Sequence, residues 1–182
     1  MTSHRYADLV GLALRRQPAC GSTRVVAIDG PSGSGKTQLA DQLVTTNRAA
    51  VLHLDDVYPG WHGLAATPPM IVRSVLEPLA VEEVGMIPRW DWSRHQAGPH
   101  MRIDPSPLLI LDGVGSGAAT IRPFLSLLIW VEASTEVRKR RALARDGGAY
   151  VPFWDVWGAQ EAVHFHADET RRHADVILRT DG

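Results

Sequence analysis

Residues Gly30-Pro31-Ser32-Gly33-Ser34-Gly35-Lys36-Thr37 satisfy the pattern G-x-x-x-x-G-K-[ST], and the apolar run Val25-Val26-Ala27-Ile28 stands just before them. A buried strand, a glycine-rich loop and a following helix confine this stretch to a βα unit. The glycines allow a tight turn, so that successive N–H groups converge on a polyphosphate where the helix dipole also favours negative charge. The expected phosphate cradle is Gly30, Ser32, Gly33, Ser34, Gly35, Lys36 and Thr37. In such a loop the lysine contacts the β- and γ-phosphates and the hydroxyl binds Mg²⁺.

The rest of the chain suits one domain built around that unit. At 182 residues and 45% apolar content, it can bury one substantial core. A formal net charge of −1 gives no overall field toward nucleic acid or an anionic membrane, so the expected partners are small molecules. A homo-oligomer stays open. The single cysteine, Cys20, cannot form an internal disulfide, and no N-terminal apolar segment suits a secretion signal. Both features predict a cytoplasmic protein.

Leu9, Val10, Ala13 and Leu14 recur at near-helical spacing within residues 6–16, which predicts a short amphipathic helix before the first strand. The helix opened by the phosphate loop runs on through Gln38 to Val44. Ala50 to Leu54, Leu108 to Leu111, Leu127 to Val131 and Ala174 to Leu178 read as further strands. Helices are expected around Met70 to Leu79, from Thr135 to Asp146 and between Asp155 and Arg171. Residues 58–107, rich in Pro, Gly, Trp and His, read as an acceptor-binding insert, and residues 135–150 as a small lid. The predicted fold is a three-layer α/β P-loop NTPase, with a mostly parallel sheet covered by helices on both faces.

Phosphoryl transfer needs a nucleotide cradle, a metal, a carboxylate for the acceptor hydroxyl and cations for the transferring group. Asp112, closing the strand Leu108 to Leu111, stands where a Walker-B acid binds Mg²⁺. Asp55 and Asp56 follow the second strand, and consecutive side chains of extended backbone point to opposite sides. Asp55 is our choice to face the site, and with Thr37 and Asp112 it completes the candidate metal set. Arg138, Arg141 and Arg145 share a helical face that can clamp phosphate. Trp61, Trp90, Trp92, Trp154 and Trp157 flank the expected pocket. His164 and His166 lack metal-ligand spacing.

From about Val25 to about Asp146 the chain resembles the uridine kinase group of P-loop kinases, together with phosphoribulokinase-like and pantothenate kinase-like proteins. The resemblance rests on the loop itself, then Asp55-Asp56-Val57-Tyr58 against Asp-x-Phe-Tyr. Trp90-Asp91-Trp92-Ser93-Arg94-His95 matches Tyr-Asp-Phe-x-x-His, Asp112-Gly113 matches Glu-Gly, and Arg138, Arg141 and Arg145-Asp146 match the lid helix. The resemblance implies that Asp55 is the catalytic base. It also implies that Tyr58, Trp90 and His95 contact the acceptor and that Arg141 and Arg145 are lid cations.

Two departures bear on the acceptor. The acidic, Phe-rich segment by which nucleoside kinases of this group grip ribose is replaced by residues 60–68, which contain no acid. Gly147-Gly148-Ala149-Tyr150 replaces the basic lid extension. The expected activity is therefore ATP- and Mg²⁺-dependent phosphorylation of a hydroxyl on a nucleoside-like or other metabolite alcohol. The alternatives are a pantothenate-like or sugar-like acceptor, or a nucleotide-binding regulator that phosphorylates no acceptor. The Asn-Lys-x-Asp motif of a GTP switch is absent.

Overall fold

The computed structural model describes residues 3–47, 49–146 and 151–181, with the side chains of residues 3–8, 46, 145, 146 and 151 outside that description. In chain order the elements are α1 (Ser3–Arg15), β1 (Arg24–Asp29), α2 (Lys36–Asn47) and β2 (Ala50–His53). A helical stretch follows that contains α3 (Thr67–Ile71) and α4 (Glu77–Ala80), joined by a wider π-helical turn, Val72–Leu76. Then come β3 (Gly85–Asp91), β4 (Gln96–Ile103), β5 (Leu108–Asp112), β6 (Leu125–Glu132), α5 (Thr135–Asp146), α6 (Trp154–Asp168), α7 (Thr170–His173) and β7 (Val176–Arg179).

Five strands form one sheet in the order β2-β5-β1-β6-β7, and every pairing in it is parallel. Their apolar runs are continuous because both faces of the sheet are covered. On β1, Val25 points into one core cluster and Val26 and Ile28 into the other; on β5, Leu109 and Leu111 face the first and Leu108 and Ile110 the second. Leu9, Val10 and Ala13 of α1 and Leu39, Ala40 and Leu43 of α2 cover the second face. The first face is covered by Ile71, Val75, Leu76 and Leu79, with Ile87 of β3 and Trp157 of α6.

This arrangement places the phosphate loop at a fixed point. The connections from β1 and β5 leave the same sheet edge, and the strand order reverses about β1, which is where ligands bind in open α/β sheets. Asp55, Asp112 and the loop therefore share the carboxyl-terminal edge.

Several details differ from the sequence reading. Leu14 is 48% exposed rather than part of the packed stripe, because α1 rests on the sheet along the Leu9, Val10 and Ala13 line. The insert also contains an antiparallel hairpin, β3 paired with β4, which its proline and glycine content conceals. The helix expected from Asp155 to Arg171 divides at Glu169, whose left-handed backbone (φ 45°) ends α6 and starts α7. Cys20 is buried, its thiol donating to the Leu76 carbonyl at 3.2 Å, and burial pushes its pKa up to about 11.

Candidate active site

The phosphate loop is braced from behind by groups distant in sequence. Gly33 has φ 78°, and a Cβ there would stand 2.2 Å from the Arg138 carbonyl oxygen, so α5 packs directly on the loop. Gly30, with φ 136°, approaches the Val131 carbonyl as closely. The Gly30 N–H donates to Asp29 Oδ1 at 2.6 Å and the Ser34 N–H to the Pro31 carbonyl at 3.2 Å. Those two amides, expected in the cradle, are thus spent on the loop's own shape, and neither residue lines the cavity. Ser32, Gly33, Gly35, Lys36 and Thr37 do line it.

Asp29 has no solvent exposure, and besides Gly30 it accepts from the N–H groups of Gly115 (3.0 Å) and Gly117 (2.8 Å). Burial raises its pKa, against the pull of these three donors and of Lys36. The carboxylate ties the phosphate loop to the loop after β5. Ser32 is held at both polar ends: its N–H donates to Glu161 Oε1 at 2.8 Å, and its carbonyl accepts from Arg138 Nη1 at 3.1 Å. Glu161 Oε2 lies 4.0 Å from the same guanidinium, and both side chains are largely buried. Thr180 donates from Oγ1 to the Ser34 carbonyl at 2.7 Å and is itself gripped by Arg141, which lines the cavity. Lys36 Nζ donates to the Gly30 and Pro31 carbonyls at 2.7 and 3.1 Å.

The three candidate carboxylates stand in different surroundings. Asp112 is 3% exposed and lines the cavity; its Oδ2 meets His53 Nδ1 at 2.8 Å, whereas Oδ1 is buried without a hydrogen-bond partner among the described residues. The bond to Asp112 holds the His53 pKa above its ordinary value. Asp55 lines the same cavity, while Asp56 is paired with Arg89 Nη2 at 2.8 Å. A short 3-10 turn, Leu54–Asp56, sends the two acids in different directions.

The cavity, about 670 Å³, continues past Asp112 into an aromatic half. Trp61 stacks on Phe153 (centroids 4.3 Å apart, planes 5° apart) and leans on Trp92 at 4.8 Å, while Tyr58 meets the edge of Trp157 at 4.7 Å. The buried Tyr58 hydroxyl donates to the Val114 carbonyl at 2.8 Å, and its pKa is raised well above 10, by burial first and then by Asp55. Tyr58 thus lines the cavity with its hydroxyl already committed. His95, at the hairpin turn with φ 51°, lines the cavity.

Trp90 does not line it. Trp90 stands on β3, which ends at Asp91, and its ring packs near Gly60. Trp92 lines the cavity in its place, its indole N–H donating to the Asp55 carbonyl at 2.9 Å. Arg138, expected to face phosphate, bonds behind the loop instead. The Arg145 side chain lies outside the described residues.

Solved structures provide a comparison. A possible uridine kinase from Bacillus stearothermophilus matches with a TM-score of 0.69 and 20% identity over 96% of this chain and 97% of that one. A candidate fructose transport system kinase from Silicibacter sp. TM1040 matches with a TM-score of 0.63 and 17% identity over 98% and 99% of the two chains. The chain has a P-loop kinase fold. A circularly permuted candidate P-loop kinase from Saccharomyces cerevisiae shares that fold as well, with a TM-score of 0.59 and 10% identity over 100% and 99%. No family model matches the chain, and no curated protein matches it by sequence. The resemblance to uridine kinase-like proteins read from the motifs therefore holds at the level of the P-loop kinase fold.

Asp29, His53, Phe153, Glu161 and Thr180 were not singled out from the sequence. Asp29 carried the same signal as Asp112, an acid closing a buried apolar run. Glu161 and Thr180 carried none, because their partners are more than a hundred residues away.

Proposed function

We propose that the chain works as one P-loop kinase domain that transfers the γ-phosphoryl group of ATP to a hydroxyl of a small metabolite. The observation that carries this reading is the single cavity shared by Lys36, Thr37, Asp112, Asp55 and Arg141. A nucleotide phosphate site with no adjoining carboxylate and pocket would suit a switch; here the phosphate loop opens onto both.

The residues fit Mg²⁺·ATP. The buried Asp112 Oδ1 lacks a partner among the described residues, and the exposed Thr37 stands on the same cavity, which supplies two oxygen donors for a hard cation. When bound, Mg²⁺ would neutralise charge on the β- and γ-oxygens. Lys36 would exchange its loop carbonyls for phosphate oxygens. Asp55 would accept the proton of the acceptor hydroxyl as its oxygen bonds to the γ-phosphorus, the bridging P–O bond breaks and ADP leaves. Arg141, fixed by Thr180, would face the charge that develops in transfer.

ADP release, measured with and without a panel of metabolite alcohols, tests the reading. Release that rises at least tenfold over background with one alcohol, in a typical kinase range of roughly 1–100 per second, supports it. Release that is independent of every alcohol and equal to phosphate liberation would make the protein an ATPase.

A further inference from the structure

We infer that His53 is a positioning residue for the metal: its Nδ1–H holds Asp112 Oδ2, which leaves Asp112 Oδ1 as the oxygen for Mg²⁺. This rests on the Mg²⁺·ATP site proposed above and assigns how its carboxylate is aimed.

The sheet itself brings the two side chains together. His53 closes β2, Asp112 closes β5, and the two are register partners in a parallel pair. Side chains alternate along a strand, so with Leu52 and Leu111 in the first core cluster, His53 and Asp112 turn to the other face, the one that α2 covers. That helix opens with Lys36 and Thr37. On its other flank Asp112 is paired with Ile28 of β1, an apolar side chain that offers the carboxylate no donor. The backbone is pinned here as well, since the Gly113 N–H donates to the Ile28 carbonyl at 3.2 Å.

What is left to aim is the carboxylate, whose terminal torsion is intrinsically broad. An ionised carboxylate only accepts, so in the 2.8 Å contact with Oδ2 the proton sits on His53 Nδ1. That bond makes the two oxygens inequivalent. Oδ2 is satisfied, whereas Oδ1 is buried with no hydrogen-bond partner among the described residues, on a side chain that lines the cavity together with Thr37. A buried carboxylate oxygen in that setting calls for a cation or a donor. Metal-binding carboxylates are held by such outer partners, and losing one typically costs about 10–100-fold in metal affinity. A histidine that served only as counter-charge to Asp112 would compete with the metal, and its removal would tighten metal binding. The two roles differ in sign.

The test uses Mn²⁺, which shares the octahedral oxygen preference of Mg²⁺ and is read directly by electron paramagnetic resonance as it is titrated into protein saturated with ADP. His53→Ala should weaken Mn²⁺ binding by about tenfold or more, while affinity for metal-free ADP stays within about threefold. His53→Asn carries an amide nitrogen on the same Cγ and should keep Mn²⁺ affinity within about threefold of native; His53→Gln, whose nitrogen lies one bond further out, should not. In an Asp112→Asn background, His53→Ala should change Mn²⁺ affinity by less than about twofold, because the imidazole acts through that carboxylate. Unchanged or tighter Mn²⁺ binding in His53→Ala overturns the inference, as does a parallel loss of affinity for metal-free ADP. If His53→Ala does not fold, equal Mn²⁺ affinities in His53→Asn and His53→Gln overturn it. A native protein that binds no ADP strikes the nucleotide site itself, and with it the kinase reading.

Discussion

Asp55 and Asp56 are chemically identical neighbours that differ in what surrounds them. Asp56 is held by Arg89 on the outer side of the turn, and Asp55 lines the cavity beside Tyr58 and Trp92. Removing a general base typically costs about 10²–10⁴-fold in rate, so Asp55→Asn should lower kcat by that order and leave the KM for ATP within a few-fold. Asp56→Asn should be milder, since an exposed ion pair contributes about 0–1 kcal/mol. Steady-state kinetics on both variants check the order, and an inactive Asp56→Asn beside an active Asp55→Asn reverses the assignment. At this scale the sequence was informative where a residue belonged to a local pattern, as for Lys36, Thr37, Asp55 and Asp112. It did not separate Trp90, which stands on β3, from Trp92, which lines the cavity from the turn beyond Asp91, because the end of a strand is not written in residue spacing.

Elements determine how firmly the loop is held. α5 reaches Ser32 and Gly33 through Arg138, and α6 reaches Ser32 through Glu161, so two helices that follow β6 set the shape of a loop that follows β1. Glu161→Ala removes the acceptor for a loop N–H in a buried setting. A hydrogen bond to a charged group contributes about 1.5–3 kcal/mol, so affinity for Mg²⁺·ADP should fall by roughly tenfold or more. Glu161→Gln keeps an oxygen in place and should recover most of that affinity. Titration calorimetry with Mg²⁺·ADP separates the two, and equal damage in both variants means that the charge opposite Arg138, not the acceptor atom, is what the loop requires. The strands of the main sheet were legible because both-face burial leaves an uninterrupted apolar run. The β3–β4 hairpin was not, since it is half exposed and interrupted by Pro88, Gly98 and Pro99, so neither alternation nor a continuous run marks it.

Across the whole molecule, the far end of the sheet is joined by one carboxylate. Glu132 at the end of β6 accepts from Arg171 of α7 (2.8 Å), Arg179 of β7 (3.0 Å) and the Trp130 indole (2.8 Å), and Arg171 foremost lowers its pKa to about 2. Because its folded pKa lies below the ordinary 4.5, its stabilising contribution is present above that value and is lost as pH falls from about 4.5 through about 2. Chemical denaturation at a series of pH values should show a steeper loss in that window for the native protein than for Glu132→Gln; parallel curves would remove Glu132 from the account. The overall architecture followed from the apolar runs and one loop motif, whereas the aromatic wall required the insert to meet α6 and the turn before it. The central claim is phosphoryl transfer from ATP held by Lys36 to an alcohol. Protein, Mg²⁺ and γ-radiolabelled ATP are incubated with a panel of metabolite alcohols, and the products are resolved chromatographically beside a folded Lys36→Ala control. Label should move into an organic phosphate ester with the native protein and fall by orders of magnitude with Lys36→Ala; label that remains on ATP, or passes only to inorganic phosphate, contradicts the assignment.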